Sequence, residues 1–278
     1  MATDQPLIRL ALFGQPVKSS LSPRIHALFA EQAGLDVDYR ATAVAEEFLS
    51  REIQALADAG ARGCNITLPY KQKALALANR ATDRAQRAAA ANTLIFESRA
   101  RWKADNTDGP GLIRDLTGRI GMKLAGERIA LIGAGGAAAG ILEALLSSEP
   151  NSLVLFNRTP ARGQALAEQF SDLGAIEARS LDQIESAGTF HLVIHATSAG
   201  HRGEPPLLPR SLFQDGGLLY DLNYGLAHRK LAAWSRRHQV RCTDGLGMLV
   251  EQAAESFELW TGHRPDTDPV LTSIREGS

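Results

Sequence analysis

The stretch that most constrains this 278-residue chain is an apolar run, Ile129-Ala-Leu-Ile132, that passes directly into Gly133-Ala-Gly-Gly136-Ala-Ala138. A short uninterrupted apolar run reads as a strand buried on both faces. Residues 137–146 then carry the apolar spacing of a helix. Glycine suits each demand of such a junction: Gly133 permits the tight turn and Gly135 lets the backbone approach a pyrophosphate, while small Ala138 allows close helix–strand packing. The helix start adds unpaired N–H groups and the positive end of its dipole. A glycine-rich turn with no ligand shares the same residues; the strand before it and the helix after it favour dinucleotide binding.

An NAD-binding unit of this kind has an acid about 20 residues further on, to hold a ribose 2′-hydroxyl. Here the next apolar run, residues 153–156, ends in Asn157-Arg158-Thr159, with Arg162 close behind. Two guanidiniums suit a 2′-phosphate, because each presents a planar fork of donors, and Thr159 adds a hydroxyl. The pattern favours NADP. Thr159 before Pro160 also reads as a helix cap, with the arginines simply solvated.

Strand-like and helix-like stretches alternate along the whole chain, which indicates an α/β protein. Residues 7–13 read as a buried strand, and Ser22-Pro23 as an N-cap and first-turn proline, with Gly34 as the C-terminal cap. Strands are expected near 39–44 and 64–68, helices through Ile53 and through Leu75, and a hairpin from 93–96 and 101–104. Further on, 192–195 and 218–221 read as strands, and 161–170 and 226–238 as helices. The segment from Gly121 to Gly126 reads as the break between two blocks.

Composition narrows the class. Hydrophobic residues make up 44% and charged residues 22%, which excludes a disordered or fibrous chain. Thirty basic residues against 31 acidic ones, with no block of like charge, give little support to a nucleic-acid or anionic-membrane partner. Residues 129–146 are broken by four glycines and Glu143, so no membrane span is expected. Cys64 and Cys242 lack metal-ligand spacing; no metal is expected, and both read as small buried residues in a reducing compartment. The opening MATDQPLIRLALFG has no charged stretch before a long apolar run, so no signal peptide is expected and a cytoplasmic location is.

Chemistry-bearing residues cluster at expected strand ends, where α/β folds collect ligands. Asn65-Ile-Thr67-Leu-Pro-Tyr-Lys71 follows one strand and Asn106-Thr-Asp108-Gly109 another. A lysine and a carboxylate facing one alcohol can move its proton while hydride leaves its carbon. Singly, Lys71 also reads as a surface lysine and Asp108 as a helix cap. Ser20 and Ser22 could grip a carboxylate, or serve as a loop residue and an N-cap.

Taken in order, these motifs resemble the shikimate dehydrogenase family. Phe13-Gly-Gln-Pro-Val-Lys-Ser-Ser20-Leu-Ser22-Pro, Asn65-Ile-Thr67-Leu-Pro-Tyr-Lys71, Ala91-Asn92-Thr93-Leu and Asn106-Thr-Asp108-Gly109 carry the resemblance in the first block. Gly133-Ala-Gly-Gly-Ala137, Asn157-Arg-Thr159, Ala196-Thr-Ser198, Tyr220-Asp-Leu-Asn-Tyr224 and Asp244-Gly-Leu-Gly-Met-Leu-Val-Glu-Gln252 carry it in the second. The resemblance implies reversible NADP-dependent reduction of 3-dehydroshikimate to shikimate, on the route to chorismate and aromatic amino acids. It implies an N-terminal α/β substrate domain (1–109, joined by C-terminal helices 247–278), a Rossmann-type doubly wound NADP domain (110–246), and an active-site cleft between them.

By position, Lys71 and Asp108 would be the catalytic pair and Ser20 and Ser22 would hold the substrate carboxylate. Asn65, Thr67, Asn92, Asp108, Tyr224 and Gln252 would contact ring hydroxyls or line the pocket. Gly133, Ala134, Gly135, Gly136 and Ala137 would cradle the pyrophosphate, and Asn157, Arg158, Thr159 and Arg162 would hold the adenosine end. Thr197, Leu222, Gly245 and Met248 would also meet the cofactor, the last two near the nicotinamide; Asp83 falls where an acid often lies near it. The resemblance admits a homodimer. The chain departs from the common pattern with Ala138-Ala139 after the glycines, Tyr70 for Phe, Ala91 for Val, and Asn223 inside the Tyr-Asp segment. A quinate/shikimate dehydrogenase paralogue with broader substrate or NAD use, and a catalytically silent nucleotide-binding protein, remain the alternatives.

Overall fold

The computed structural model describes residues 6–202, 204 and 208–277. The chain forms two compact units, one of Met1–Gly111 with Val250–Ser278 and one of Leu112–Leu249. The change of unit falls at Gly111/Leu112; the Gly121–Gly126 segment lies inside the second unit, its glycines serving left-handed turns at φ +71° and +77°.

In the first unit six strands order as β2-β1-β3-β5-β6-β4: β1 (Ile8–Gly14), β2 (Val37–Ala43), β3 (Gly63–Ile66), β4 (Arg80–Ala81), β5 (Thr93–Ser98) and β6 (Arg101–Asp105). Helices α1 (Ser22–Ala33) and α2 (Leu49–Asp58) carry the chain between β1, β2 and β3, which run parallel as such crossovers require. β5 and β6 form the expected antiparallel hairpin, and β5 pairs antiparallel with β3, setting Asn65 opposite Thr93 and Thr93 opposite Asp105. Short helices α3 (Lys71–Leu77), α4 (Asp83–Arg87) and α5 (Asp108–Arg114) follow strand ends.

Two C-terminal helices, α9 (Leu246–Thr261) and α10 (Thr267–Glu276), complete this unit from Val250 onward. Gly63 explains the fit: a Cβ there would lie 2.2 Å from the Trp260 indole nitrogen, which donates to Leu94 O at 2.9 Å. Trp260 and Phe257 join Phe29, Tyr39 and His26 in an aromatic cluster. Ser22 is not the N-cap of α1. Leu21 takes that position with helical dihedrals, and Ser22 begins the helix itself, so its hydroxyl is not spent on a cap.

The second unit is a six-stranded parallel sheet of β7 (Arg128–Ile132), β8 (Ser152–Asn157), β9 (Ile176–Ser180), β10 (Phe190–His195), β11 (Phe213–Asp221) and β12 (Arg241–Thr243). Its order is β12-β11-β10-β7-β8-β9, so counted from β7 the strands lie 6-5-4-1-2-3, the doubly wound arrangement. Alternation along each strand explains the two covered faces. Ile129, Leu131, Leu153 and Leu155 enter one core with α6 (Gly136–Leu146), whereas Ala130, Ile132, Val154 and Phe156 enter the other. Helices α7 (Pro160–Gln169) and α8 (Arg229–His238) complete the set. The expected helix over 226–238 begins with a separate 3-10 turn, Gly225–Ala227, ahead of α8. Among the described residues no helix is long and apolar enough to cross a membrane.

Candidate active site

In the first unit, Gly14 fixes how two strand-end loops meet. A Cβ on it would fall 2.3 Å from Thr67 Cγ2, so glycine is what lets the loop after β1 lie against the loop after β3. The Thr67 N–H donates to Phe13 O at 2.9 Å and Gln15 N–H to Leu68 O at 2.9 Å, which joins the loops. Lys71 begins α3 immediately beyond, and its carbonyl accepts from Ala91 N–H at 2.8 Å, drawing the Ala91-Asn92 turn under it.

The consequence is a direct contact between the two residues expected to do chemistry. Lys71 Nζ donates to Asp108 Oδ2 at 2.5 Å, with the lysine side chain 16% and the carboxylate 7% exposed. The other carboxylate oxygen accepts from Asn92 Nδ2 at 2.8 Å, and Asp108 N–H donates to Asn106 Oδ1 at 3.1 Å. Asn92 Oδ1 accepts from Thr107 N–H and Thr93 Oγ1, both at 2.9 Å. Gln252 Oε1 lies 3.1 Å from Asn92 Nδ2. Asp108 sits in the first turn of α5 and yet turns its carboxylate to Lys71.

Asn65 is committed within the protein. Its Oδ1 accepts from the Tyr39 hydroxyl at 2.7 Å, and its Nδ2 reaches Asn92 O, Thr93 Oγ1 and Ser256 Oγ at 3.1–3.2 Å. Burial drives the Tyr39 phenol well above its ordinary pKa, so it remains a neutral donor. Ser20 Oγ donates to Ser22 Oγ at 3.2 Å and accepts from Ser22 N–H at 3.2 Å, which pairs the two hydroxyls. Asp83 is exposed at the start of α4, and no hydrogen bond ties it to the Lys71 cluster among the described residues.

Sequence reasoning missed Thr107, Ser256 and Tyr39. Ser256 lies 2.8 Å from Thr93 Oγ1 and 3.3 Å from Thr107 Oγ1. Gln252 and Ser256 stand four residues apart on α9, one face of a helix that otherwise buries Val250, Ala253, Ala254 and Phe257. That pair of polar residues in an apolar stripe was the available signal.

In the second unit the glycine turn has the geometry its residues demand. Gly133 has φ +115°, and a Cβ on it would lie 2.9 Å from both Ala196 O and Thr197 Cγ2. Cβ atoms on Gly135 or Gly136 would meet nothing within 4 Å among the described residues. The protein therefore needs Gly133 for itself, whereas Gly135 and Gly136 leave a bare backbone at the start of α6, which suits a pyrophosphate. The turn stands where β7 and β10 adjoin and the strand order reverses.

Ala134 packs on the core beneath and Ala137 lies in the first turn of α6. At the end of β8, Asn157 Nδ2 donates to Thr159 O at 2.8 Å, and Arg158, Thr159 and Arg162 are exposed. Thr159 is the N-cap of α7 by position, but its side chain makes no cap bond. Among the described residues no carboxylate occupies this strand end. The carbonyl of Leu222 lies 2.3 Å from where a Cβ of Gly245 would be, and Met248 N–H donates to the Tyr220 hydroxyl at 3.2 Å. Tyr224 is half-buried, and burial raises its phenol pKa. Cys64 is fully buried as expected, but Cys242 is only partly so, its sulfur 4.0 Å from His228 Nε2.

Sheet order and glycine turn define a Rossmann-type α/β protein, and its first unit holds a largely buried lysine–carboxylate pair. Three family models match the chain: the shikimate dehydrogenase substrate binding domain over residues 12–94, shikimate / quinate 5-dehydrogenase over 115–205, and the shikimate 5′-dehydrogenase C-terminal domain over 245–275. The shikimate dehydrogenase (NADP(+)) of Xanthomonas oryzae pv. oryzae is 45% identical over 273 residues, covering 97% of this chain and 96% of that one. The chain belongs to the shikimate dehydrogenase family. Among solved structures, an Ael1 enzyme from Pseudomonas putida matches with TM-score 0.89 at 38% identity, over 96% of this chain and 98% of that one. Shikimate 5-dehydrogenase from Thermus thermophilus, solved in complex with NADP(H) and shikimate, matches with TM-score 0.82 at 32% identity, over 98% and 100%.

Proposed function

We infer that this protein is an NADP-dependent shikimate dehydrogenase, catalysing the reversible reduction of 3-dehydroshikimate to shikimate. The observation that carries the reading is the 2.5 Å contact between Lys71 and Asp108 in a partly buried polar cluster. NADP, when bound, supplies or accepts the hydride. Lys71 handles the proton: its ammonium gives one to the carbonyl oxygen as the alcohol forms, and the neutral amine takes it back in the reverse direction. Asp108 orients the ammonium and stabilises its charge, and Asn92 anchors the carboxylate through its second oxygen.

Ser20 and Ser22, already paired and with Ser22 freed from capping, hold the substrate carboxylate in this reading. Thr67, Asn92, Tyr224 and Gln252 meet the ring hydroxyls, while Asn65 holds the pocket wall through Tyr39, Thr93 and Ser256. Residues 1–109 with 247–278 form the substrate domain and 110–246 the NADP domain. Gly133, Ala134, Gly135, Gly136 and Ala137 receive the pyrophosphate, and Asn157, Arg158, Thr159 and Arg162 the adenosine end. Thr197, Leu222, Gly245 and Met248 line the cofactor side, and Asp83 completes the assignment from the first unit. A cytoplasmic location belongs to the same reading, supported by the two unpaired thiols.

The test is a steady-state assay of shikimate or quinate, each with NADP⁺ or NAD⁺. Strong turnover with shikimate and NADP⁺ alone is expected. Arg158→Ala should then raise the NADP⁺ KM about tenfold or more and leave that for NAD⁺ within about twofold, since a charge-assisted phosphate bond contributes roughly 1.5–3 kcal/mol. Equal turnover with quinate or NAD⁺ would move the protein to the broader paralogue.

A further inference from the structure

A buried network in the second unit, Thr197 apart, has no part in the reading above. His195 ends β10 and Asp221 ends β11; both side chains are 0% exposed. His195 Nδ1 lies 2.9 Å from Asp221 Oδ1, and its Nε2 lies 2.7 Å from Thr197 Oγ1. His228, just ahead of α8, places its Nδ1 2.9 Å from Asp221 Oδ2. Asn223 donates to Asp221 Oδ1 from both its N–H (3.1 Å) and its Nδ2 (2.8 Å), and Nδ2 also reaches Thr197 O at 3.1 Å.

Burial alone would raise the Asp221 pKa, but the hydrogen bonds from His195, His228 and Asn223 outweigh it and hold it at about 2. Asp221 is therefore an acceptor only, and the facing nitrogens of both imidazoles carry hydrogens. Burial alone would lower the His228 pKa, but Asp221 and the Cys242 thiol outweigh that and raise it to about 10, so His228 supplies the positive charge opposite the carboxylate. The other His195 ring nitrogen, Nε2, shares a hydrogen with the Thr197 hydroxyl and so fixes where that hydroxyl lies. Thr197 Oγ1 also accepts from Ala199 N–H at 3.3 Å.

Thr197 lies directly against the glycine turn, its Cγ2 within 2.9 Å of where a Gly133 Cβ would be. We propose that His195 is a positioning residue for the dinucleotide: seated on Asp221 and braced by His228, it fixes the Thr197 hydroxyl for a hydrogen bond with the bound nucleotide. The nitrogens of the two histidines face the carboxylate oxygens at hydrogen-bond distance rather than a common point, and no metal-holding trio occurs among the described residues. The inference rests on the NADP reading of this unit.

The experiment is calorimetric titration of NADP⁺ into the full-length protein without substrate, in a double-mutant cycle of His195→Asn and Thr197→Val. Each single variant should weaken NADP⁺ about tenfold, the worth of one hydrogen bond at a binding site, and the double variant should bind within about twofold of Thr197→Val alone. Thr197→Ser should recover most of the loss, and the shikimate KM of His195→Asn should stay within about twofold of wild type. An equal further loss from His195→Asn in the Thr197→Val background would overturn the proposal, because a merely structural role is additive. Wild-type affinity in Thr197→Val would overturn it even if His195→Asn did not fold. A wild-type protein that binds no NADP⁺ would overturn the functional reading as well, whereas the first two results leave that reading intact.

Discussion

Asp108 opens a helix just past β6 and Asp221 closes β11, each beside cationic or imidazole groups, but the protein uses them in opposite ways. Asp108 meets a flexible lysine whose remaining N–H donors are uncommitted to it, and both side chains keep some exposure. Asp221 has none; its two oxygens are divided between two rings and an asparagine. A carboxylate that leaves its partner a free proton is suited to chemistry, and one whose two oxygens are both held by fixed rings and an amide is suited to holding shape. The contrast lies in what surrounds the same functional group.

Lys71→Ala gives the most severe test. Turnover should fall by about 10²–10⁴ with the shikimate KM nearly unchanged, since a proton donor acts in the transition state. Steady-state kinetics decide it, and a variant within twofold of wild type removes Lys71 from the reaction. Asp221→Asn should act on stability instead. Breaking a buried pair costs about 3 kcal/mol, the low end of the usual range because His228 keeps some solvent contact, and urea unfolding measures it. A fully stable Asp221→Asn protein with impaired turnover would erase the distinction between the two carboxylates.

Gly135→Ala separates folding from binding more finely. No protein atom lies near the added methyl, so the melting temperature should hold within about 2 °C, while NADP⁺ binding should weaken by about tenfold or more. Retained affinity would mean that the bare backbone there faces no phosphate. The smallest effect concerns pH. The folded-state pKa of His228, about 10, exceeds its ordinary 6.5, so its stabilisation is complete below about pH 6.5 and is lost as pH rises through 10. The stability difference between wild type and His228→Gln should therefore shrink across that interval, as followed by urea unfolding at several pH values. A constant difference would remove the His228–Asp221 charge pair from the account.

Local pattern carried much of the fold. The run at 129–132 with its glycines marked β7 and α6, and the 93–96 and 101–104 stretches marked the β5–β6 hairpin, because each depends on neighbours in sequence. Ser22 misled because a serine before a proline has the composition of a cap, while the cap position is set by backbone dihedrals at Leu21. β4, β9 and β12 went unread, being short or half-exposed strands with weak apolar signals.

What the sequence determined by itself was the order of its motifs: a turn that needs glycine at 133, the absence of an acid at the end of β8, and a lysine and an aspartate each placed at a strand end. Which of those residues meet was a matter for tertiary structure. Lys71 and Asp108 are 37 positions apart, His195 and Asp221 are 26 apart, and Asn65 reaches Ser256 across 191. No local propensity encodes such distances. They follow from sheet register and from the return of α9, which bury polar groups where only one another can satisfy them.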